Sequence, residues 1–428
     1  MNTPRSAHVF VTALVSSLVV LLAAIAVPVL QAHASSLSST QAQHSASPAI
    51  STSCPTPGTA RAAYMPSMTL GKDPTVVYIV NETNFGTLKR YDVVTGNKVE
   101  IIKMANTYMA SAQVSANGQW LLFVSQSSNQ VKLQVIRMDG QYLQTLYCGP
   151  GSPQENILDE QWSTNQKLVV FLQPLQQGGT VVYVLNMTTG ALQADLTLPS
   201  GAFFAPRTWL NNTLVYLTYE PTDSPPTSIY LLDTSKGANQ NYHNLPLVFD
   251  SSAAPFCWDF DSSYDATKLF TSGCTANQVG SPGNFTYNGP STIAVRPATG
   301  GSATTLDFRA DLAFTGVRAV TSNTLLYLVG NNTGNTSQNG LWKVGTDGSN
   351  PTLLANTPGS TAAQFNQFSQ FPWSNVSRNG SQYVLGLAST SQQHTTYALE
   401  YGSLNGGTPF VFAAITDVQL SVVGWTTM

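Results

Sequence analysis

The chain has 428 residues, with 18 Lys or Arg and 21 Asp or Glu; charged side chains make up 9% and the formal net charge is −3. A typical soluble domain carries roughly 25% charge, and this chain lacks both the basic stripe of a nucleic-acid binder and the Glu/Lys/Arg richness of a long coiled coil. Hydrophobic residues at 42% and aromatics at 10% exclude a disordered polyelectrolyte and leave a neutral surface of Asn, Gln, Ser and Thr.

At the N-terminus, Arg5 gives a short basic region and no charge follows from Val9 to Leu30. Ala32-His33-Ala34 offers small residues where signal peptidase reads them, so 1–34 is expected to be a signal peptide cleaved after Ala34. The apolar stretch is also long enough for an uncleaved membrane anchor, and Pro28 argues against that reading. Either form exports the rest of the chain to the cell surface or beyond it. Residues 35–74, rich in Ser, Thr, Ala, Gln and Pro, show neither a period of 2 nor of 3.6, which predicts a flexible linker.

From residue 75 a pattern returns about every 50 residues. A polar turn precedes a strongly apolar strand at Ser115-Ala116-Asn117-Gly118, Ser163-Thr164-Asn165-Gln166, Asn211-Asn212, Tyr264-Asp265-Ala266, Ser322-Asn323 and Ser377-Arg378-Asn379-Gly380. Asn-Gly between apolar runs predicts a hairpin with positive φ at both central residues. A second turn recurs in step and ends in Gly96, Gly140, Gly190, Gly237, Gly300, Gly348 and Gly406. Two phased turns per unit divide it into four strands, the size and content of a propeller blade.

There are seven second turns and six first turns, because the unit from Val76 to Met104 lacks an inner strand and Val418–Trp425 is a lone strand at the far end. The fold class is therefore all-β: a seven-bladed β-propeller over 75–428, with four-stranded antiparallel blades and the C-terminal strand closing blade 1. Closure removes the free sheet edges of an open array.

The strand, Ser-x-Asn/Asp-Gly turn, apolar strand and second Gly turn resemble the repeat of TolB-type β-propellers. Val114–Phe123, Trp162–Phe171 and Val376–Gly380 carry the likeness; Ala-Asn, Thr-Asn and Arg-Asn stand where that family has Pro-Asp. The resemblance implies the architecture over 75–428 and no particular ligand, since many functions share this scaffold.

Cys54, Cys148, Cys257 and Cys274 in an exported chain suggest two disulfides. Cys257 and Cys274 lie almost symmetrically about the turn at Asp265-Ala266, which places them opposite each other across a hairpin. Cys54 then pairs with Cys148 by elimination and pins the linker to blade 2.

No nucleophile elbow, P-loop or dinucleotide fingerprint occurs. His243 and His394 fall in different units, and the spacing of Asp259, Asp261 and Asp265 falls short of a calcium loop, so neither a metal nor a cofactor is expected. Inner strands line the tunnel of a propeller. The candidate ligand-binding residues there are Gln113, Asp159, Gln161, Arg207, Asp259, Arg318, Trp373, Asn375 and Gln419. Arg207 and Arg318 suit carboxylate capture, or else pairing with Asp159 or Asp259. Trp209, Trp258, Trp342 and Trp425 read as blade packing.

The expected function is a secreted or surface-tethered, non-catalytic, monomeric module for a protein, peptide or glycan ligand, without nucleic acid. Contact with a membrane is expected only through an uncleaved N-terminus. The alternative is an extracellular carbohydrate-active hydrolase or lyase using tunnel carboxylates, for which Asp159 and Asp259 are the candidate pair.

Overall fold

The computed structural model describes residues 51–428, apart from 129, 150–156, 176–177, 222–227, 251–256, 279–284, 358–360 and 366–373. The expected signal segment and the first part of the expected linker lie outside the described residues, as does Trp373.

The described chain forms seven four-stranded antiparallel sheets. Blade 1 begins with β1 (Pro74–Glu82), β2 (Phe85–Asp92) and β3 (Lys98–Ala105). Blade 2 holds β4 (Thr107–Val114), β5 (Trp120–Ser127), β6 (Gln130–Arg137) and β7 (Gln144–Cys148), and blade 3 holds β8 (Leu158–Trp162), β9 (Leu168–Pro174), β10 (Thr180–Asn186) and β11 (Leu192–Leu198). Blade 4 is β12 (Ala202–Trp209), β13 (Leu214–Pro221), β14 (Ser228–Asp233) and β15 (Leu247–Asp250); blade 5 is β16 (Cys257–Ser262), β17 (Lys268–Gln278), β18 (Phe285–Pro297) and β19 (Thr304–Arg309). Blade 6 is β20 (Phe314–Thr321), β21 (Thr324–Val329), β22 (Gly340–Gly345) and β23 (Thr352–Asn356); blade 7 is β24 (Ala362–Gln364), β25 (Gln382–Ser391), β26 (His394–Ser403) and β27 (Phe410–Thr416). The last strand, β28 (Gln419–Thr427), pairs antiparallel with β1 and supplies the inner strand that blade 1 lacks.

Alternation explains how flat sheets become a ring. Successive side chains on a strand face opposite sides. On β5, Leu121 and Phe123 pack with Val77 and Ile79 of blade 1, whereas Trp120, Leu122 and Val124 pack with Val169 and Phe171 of blade 3. Both faces of a middle strand are thus buried, which is why Trp120-Leu121-Leu122-Phe123-Val124 is an unbroken apolar run. Among the described residues there are seven such clusters, one at each blade-to-blade junction. The junction of blades 7 and 1 joins Val384, Leu399 and Phe412 to Val76, Tyr78 and Val80, with Leu420, Val422 and Trp425 of β28 in the same core.

Four of the six first turns are one repeated device. In each, Ser115, Ser163, Ser263 or Ser377 donates its Oγ hydrogen to an Asn or Asp two residues on, at 2.6–2.9 Å. The same Oγ accepts the backbone N–H five residues ahead. The Asx side chain in turn accepts an N–H two residues beyond itself, as Asn117 does from Gln119 at 3.1 Å. Positive φ is confined to the fourth residue: Gly118 78°, Gln166 62°, Ala266 57° and Gly380 69°. The expected hairpin with two positive-φ residues therefore does not form. An Asx that hydrogen-bonds ahead keeps ordinary φ, and only the residue after it turns left-handed. All seven second-turn glycines have positive φ.

Residues 51–73 hold no helix or strand, yet they are bonded along blades 1–3. Cys54 is disulfide-bonded to Cys148. Arg61 donates to the carbonyls of Ser53 and Thr145, the Tyr64 backbone exchanges two hydrogen bonds with the Gln144 amide, and Met68 N–H reaches Gln119. Cys274 is also disulfide-bonded and stands opposite Cys257 in the β16–β17 register.

Candidate functional site

An inner strand presents one unpaired edge toward the tunnel, and its buried N–H and C=O groups need partners. Side chains from neighbouring blades supply them. Asn81 of blade 1 both donates to and accepts from the Met109 backbone, each at 2.9 Å. Gln113 of blade 2 donates to Glu160 O at 2.6 Å and accepts from Trp162 N–H at 3.1 Å. Trp209 of blade 4 donates its indole N–H to Gln161 O at 3.0 Å. At the blade 5–6 junction, Asp259 Oδ2 accepts Val317 N–H at 3.2 Å and Asp261 Oδ2 accepts Ala319 N–H at 2.9 Å. Arg378 of blade 7 reaches Ser115 O and Ala116 O, helping to lock the ring where blades 7 and 2 flank blade 1.

These bonds sort the candidate residues. Gln113 and Gln161 are buried in the blade 2–3 seam, with the Gln113 amide on Gln161 Oε1 at 3.1 Å. Asn375 is buried, and its carbonyl accepts Val384 N–H. Gln419 accepts the Tyr108 hydroxyl at 2.7 Å. Asp259 and Asp261 seal β20 while Asp265 organises a first turn, so the three aspartates do not converge as ligands of one ion.

Arg207, Asp259 and Arg318 share one cavity of about 760 Å³. Trp258, Asp259, Thr315 and Gly316 come from the beginnings of inner strands. Tyr287 comes from the start of the third strand of blade 5, and Gly330 and Asn332 come from the connection between the second and third strands of blade 6. In an antiparallel blade these segments lie at the same end, so the cavity opens on the ring face opposite the Ser-x-Asx turns. Phe365, just past β24, closes the blade 7 side and lies 5.0 Å from the Arg318 guanidinium. Arg318 is buried and ion-paired with Asp259. Arg207 is half-buried and donates its Nε hydrogen to Thr218 Oγ1 at 3.2 Å. Trp258 lines the cavity while stacked on Phe260 at 5.9 Å, so it serves packing and cavity wall together.

Beside this cavity lies a carboxylate pair. Asp159 on β8 has a left-handed φ of 51°, unusual for a non-glycine residue, at a bulge between Leu158 and Gln161. Burial raises its pKa, and the Arg207 charge opposes that rise. The bulge breaks the alternation, so Glu160 and Gln161 are both fully buried. Burial pushes the Glu160 carboxyl up to about 8 against the hydrogen bond from Ser111 Oγ. Strict alternation along Leu158–Trp162 turns Glu160 away from the tunnel, which is why sequence reasoning missed it. Tyr287, Asn332 and Phe365 were missed because they leave no periodic signal.

No protein-family model matches the chain, and no curated protein matches it. Solved structures do. The β-propeller domain of the Trilobed protease from Pyrococcus furiosus is 11% identical with a TM-score of 0.50, over 81% of this chain and 98% of that one. TolB from Acinetobacter baumannii is 12% identical with a TM-score of 0.42, over 82% and 81%. A protein from Listeria monocytogenes is 13% identical with a TM-score of 0.44, over 72% and 86%. The Pyrococcus domain is described as having an open velcro topology, whereas β28 closes the ring here. The resemblance is one of fold: the chain is a seven-bladed β-propeller similar to TolB-type propellers.

Proposed function

We propose that the chain is an exported, non-catalytic binding module that seats its ligand in the cavity between the inner strands of blades 4 to 7. The observation that carries this reading is the cavity itself. Its 760 Å³ lies within the range of small-ligand sites, and it combines aromatic walls with a few polar groups. Among the described residues a single carboxylate lines it, and that one is committed elsewhere: Asp259 holds Arg318 and Val317 N–H with Oδ2, and its own neighbour Phe260 N–H with Oδ1. A carboxylate so engaged is a poor proton shuttle, which favours binding over hydrolysis or lysis. The disulfides at Cys54–Cys148 and at Cys274 favour an oxidising compartment.

The test is a glycan and peptide array probed with the exported chain, wild type and Trp258→Ala. Ligands retained by wild type, lost in the variant and unchanged after incubation support the reading. Binding indifferent to Trp258→Ala, or turnover of the bound ligand, overturns it. A phosphatase fused after residue 428 tests export; an inactive, reduced fusion counts against it.

A further inference from the structure

Six of the seven blades join their third and fourth strands through five or six residues: 93–97, 138–143, 187–191, 298–303, 346–351 and 404–409. Blade 4 uses thirteen, 234–246. A long, structured connection among short turns is a place where function sits. This one is held at several points. Asn239 and Gln240 donate their backbone N–H groups to the Ala194 and Asp195 carbonyls of blade 3 at 2.9 and 2.8 Å, and Tyr242 and Leu245 pack into the core between blades 3 and 4. The Gln240 amide closes the loop on itself, donating to Asp233 O at 2.8 Å and to Gly237 O at 3.1 Å.

The insertion builds a second cavity, of about 420 Å³, on the face of the Ser-x-Asx turns and so opposite the first. Its size suits a small ligand. The floor is apolar, made by Leu214 and Leu231 of blade 4 with Leu245 and Pro246 of the insertion. The rim holds one charge of each sign, Asp233 and Lys236. These cap and end the 3-10 turn Thr234–Lys236. Residues three apart in such a turn eclipse, roughly 6 Å apart along its axis. Yet the two charges do not pair. Asp233 Oδ1 accepts the Ser235 N–H and hydroxyl at 3.1 and 2.6 Å. Among the described residues the Lys236 ammonium has neither an ion pair nor a hydrogen bond, and the Asn244 side-chain amide on the same rim has no partner.

We propose that this second cavity binds a free α-amino acid with an apolar side chain. Its ammonium meets Asp233, its carboxylate meets Lys236 and the Asn244 amide, and its side chain lies on the leucine floor. Charge complementarity selects this class. A fatty or aryl acid answers Lys236 and sets a like charge against Asp233, and an amine does the reverse. A neutral apolar ligand covers both charges and pairs neither. A molecule with both charges on neighbouring atoms, beside an apolar body, answers rim and floor together. The site stands apart from the cavity between blades 4 to 7 and does not depend on it.

The experiment is isothermal titration of the full exported chain with leucine, isoleucine, valine, methionine and phenylalanine. Serine, leucine amide, N-acetyl-leucine and isocaproate are the controls. Melting curves confirm that Asp233→Asn and Lys236→Met are folded; Asn keeps a capping oxygen and Met keeps an apolar stem. The expected result is that at least one apolar amino acid binds about 10-fold or more tightly than its amide and its N-acetyl form, each of which lacks one charge. Serine binds more weakly still. Asp233→Asn weakens the amino acid by about 10-fold and does not weaken isocaproate, whereas Lys236→Met weakens both. Equal binding of the amino acid, its amide and its N-acetyl form overturns the proposal. So does the absence of amino-acid binding at millimolar concentration, or binding that both folded variants retain. Isocaproate bound more tightly than leucine also overturns it and makes the cavity a site for apolar acids.

Discussion

Asp259 on β16 and Arg318 on β20 form an ion pair across the junction of blades 5 and 6, and the same Asp259 oxygen holds the backbone N–H of Val317. One carboxylate thus neutralises a buried guanidinium and seals the neighbouring strand edge. Asp259→Ala leaves the Arg318 charge buried without that partner, and breaking a buried pair is costly. Asp259 retains some exposure to water, which lowers the cost, so the expected loss is about 2–3 kcal/mol. Asp259→Ala with Arg318→Met removes both charges and is expected to recover part of the loss. Urea unfolding of the three variants checks this; a single variant within about 0.5 kcal/mol of wild type contradicts the seal.

Ring closure makes a sharper demand. Trp425 is fully buried, and β28 contributes to the core joining blades 7 and 1. Removing 418–428 strips β1 of its inner partner and exposes an edge along Pro74–Asn81. The truncated chain is expected to be aggregated or to melt without a cooperative transition. A soluble truncate with a single sharp thermal transition would show that the blades hold together as an open array.

How much of this was legible beforehand follows from which signals are local. The glycines of the second turns announce themselves because only glycine sits easily at positive φ, and all seven do so. The Ser-x-Asx turns are equally local, since each bonds within five residues. The ring followed from counting these turns. The cavity did not. Phe365 follows a strand of three residues, Tyr287 sits near the start of β18, and Asn332 belongs to a connection whose placement depends on blade packing. Arg207, Asp259 and Arg318 stood out because charge is scarce in the chain, but sequence could not say that Asp259 belongs to Arg318 rather than to a ligand.

The second-turn glycines are alike in φ and unlike in surroundings, which gives a paired prediction. Gly140 has φ 84°, and a Cβ there would lie 2.6 Å from the Ile101 carbonyl oxygen of blade 1. Gly406 has φ 89° with nothing within 4 Å of the same position. Gly406→Ala carries only the left-handed strain, about 1 kcal/mol. Gly140→Ala adds a backbone clash at a blade junction and is expected to cost at least about twice as much. Chemical denaturation of the pair decides it; equal losses would mean that blades 1 and 2 do not approach as closely as the turn indicates.

The last prediction concerns pH. Burial raises the carboxyls of Glu160 to about 8, Asp261 and Glu400 to about 7 and Asp195 to about 6. In the unfolded chain such groups titrate near 4. Between those limits the folded protein holds protons that the unfolded chain has released, so stability falls as pH rises from about 4.5 to 8. Below pH 4 the direction reverses, because turn hydrogen bonds hold Asp265 at about 2, and Asp92 and Asp347 are also lowered. Their stabilisation is present above their unfolded values and is lost as pH falls through the folded ones. The melting temperature is therefore expected to peak near pH 4–5 and to decline by several degrees toward pH 8. Glu160→Gln keeps an oxygen for the Ser111 hydroxyl and has no proton to lose, so it should flatten the alkaline side and melt higher than wild type at pH 8. A melting temperature that rises from pH 5 to pH 8, or a Glu160→Gln profile parallel to wild type, would show that the buried carboxyls do not set the pH response.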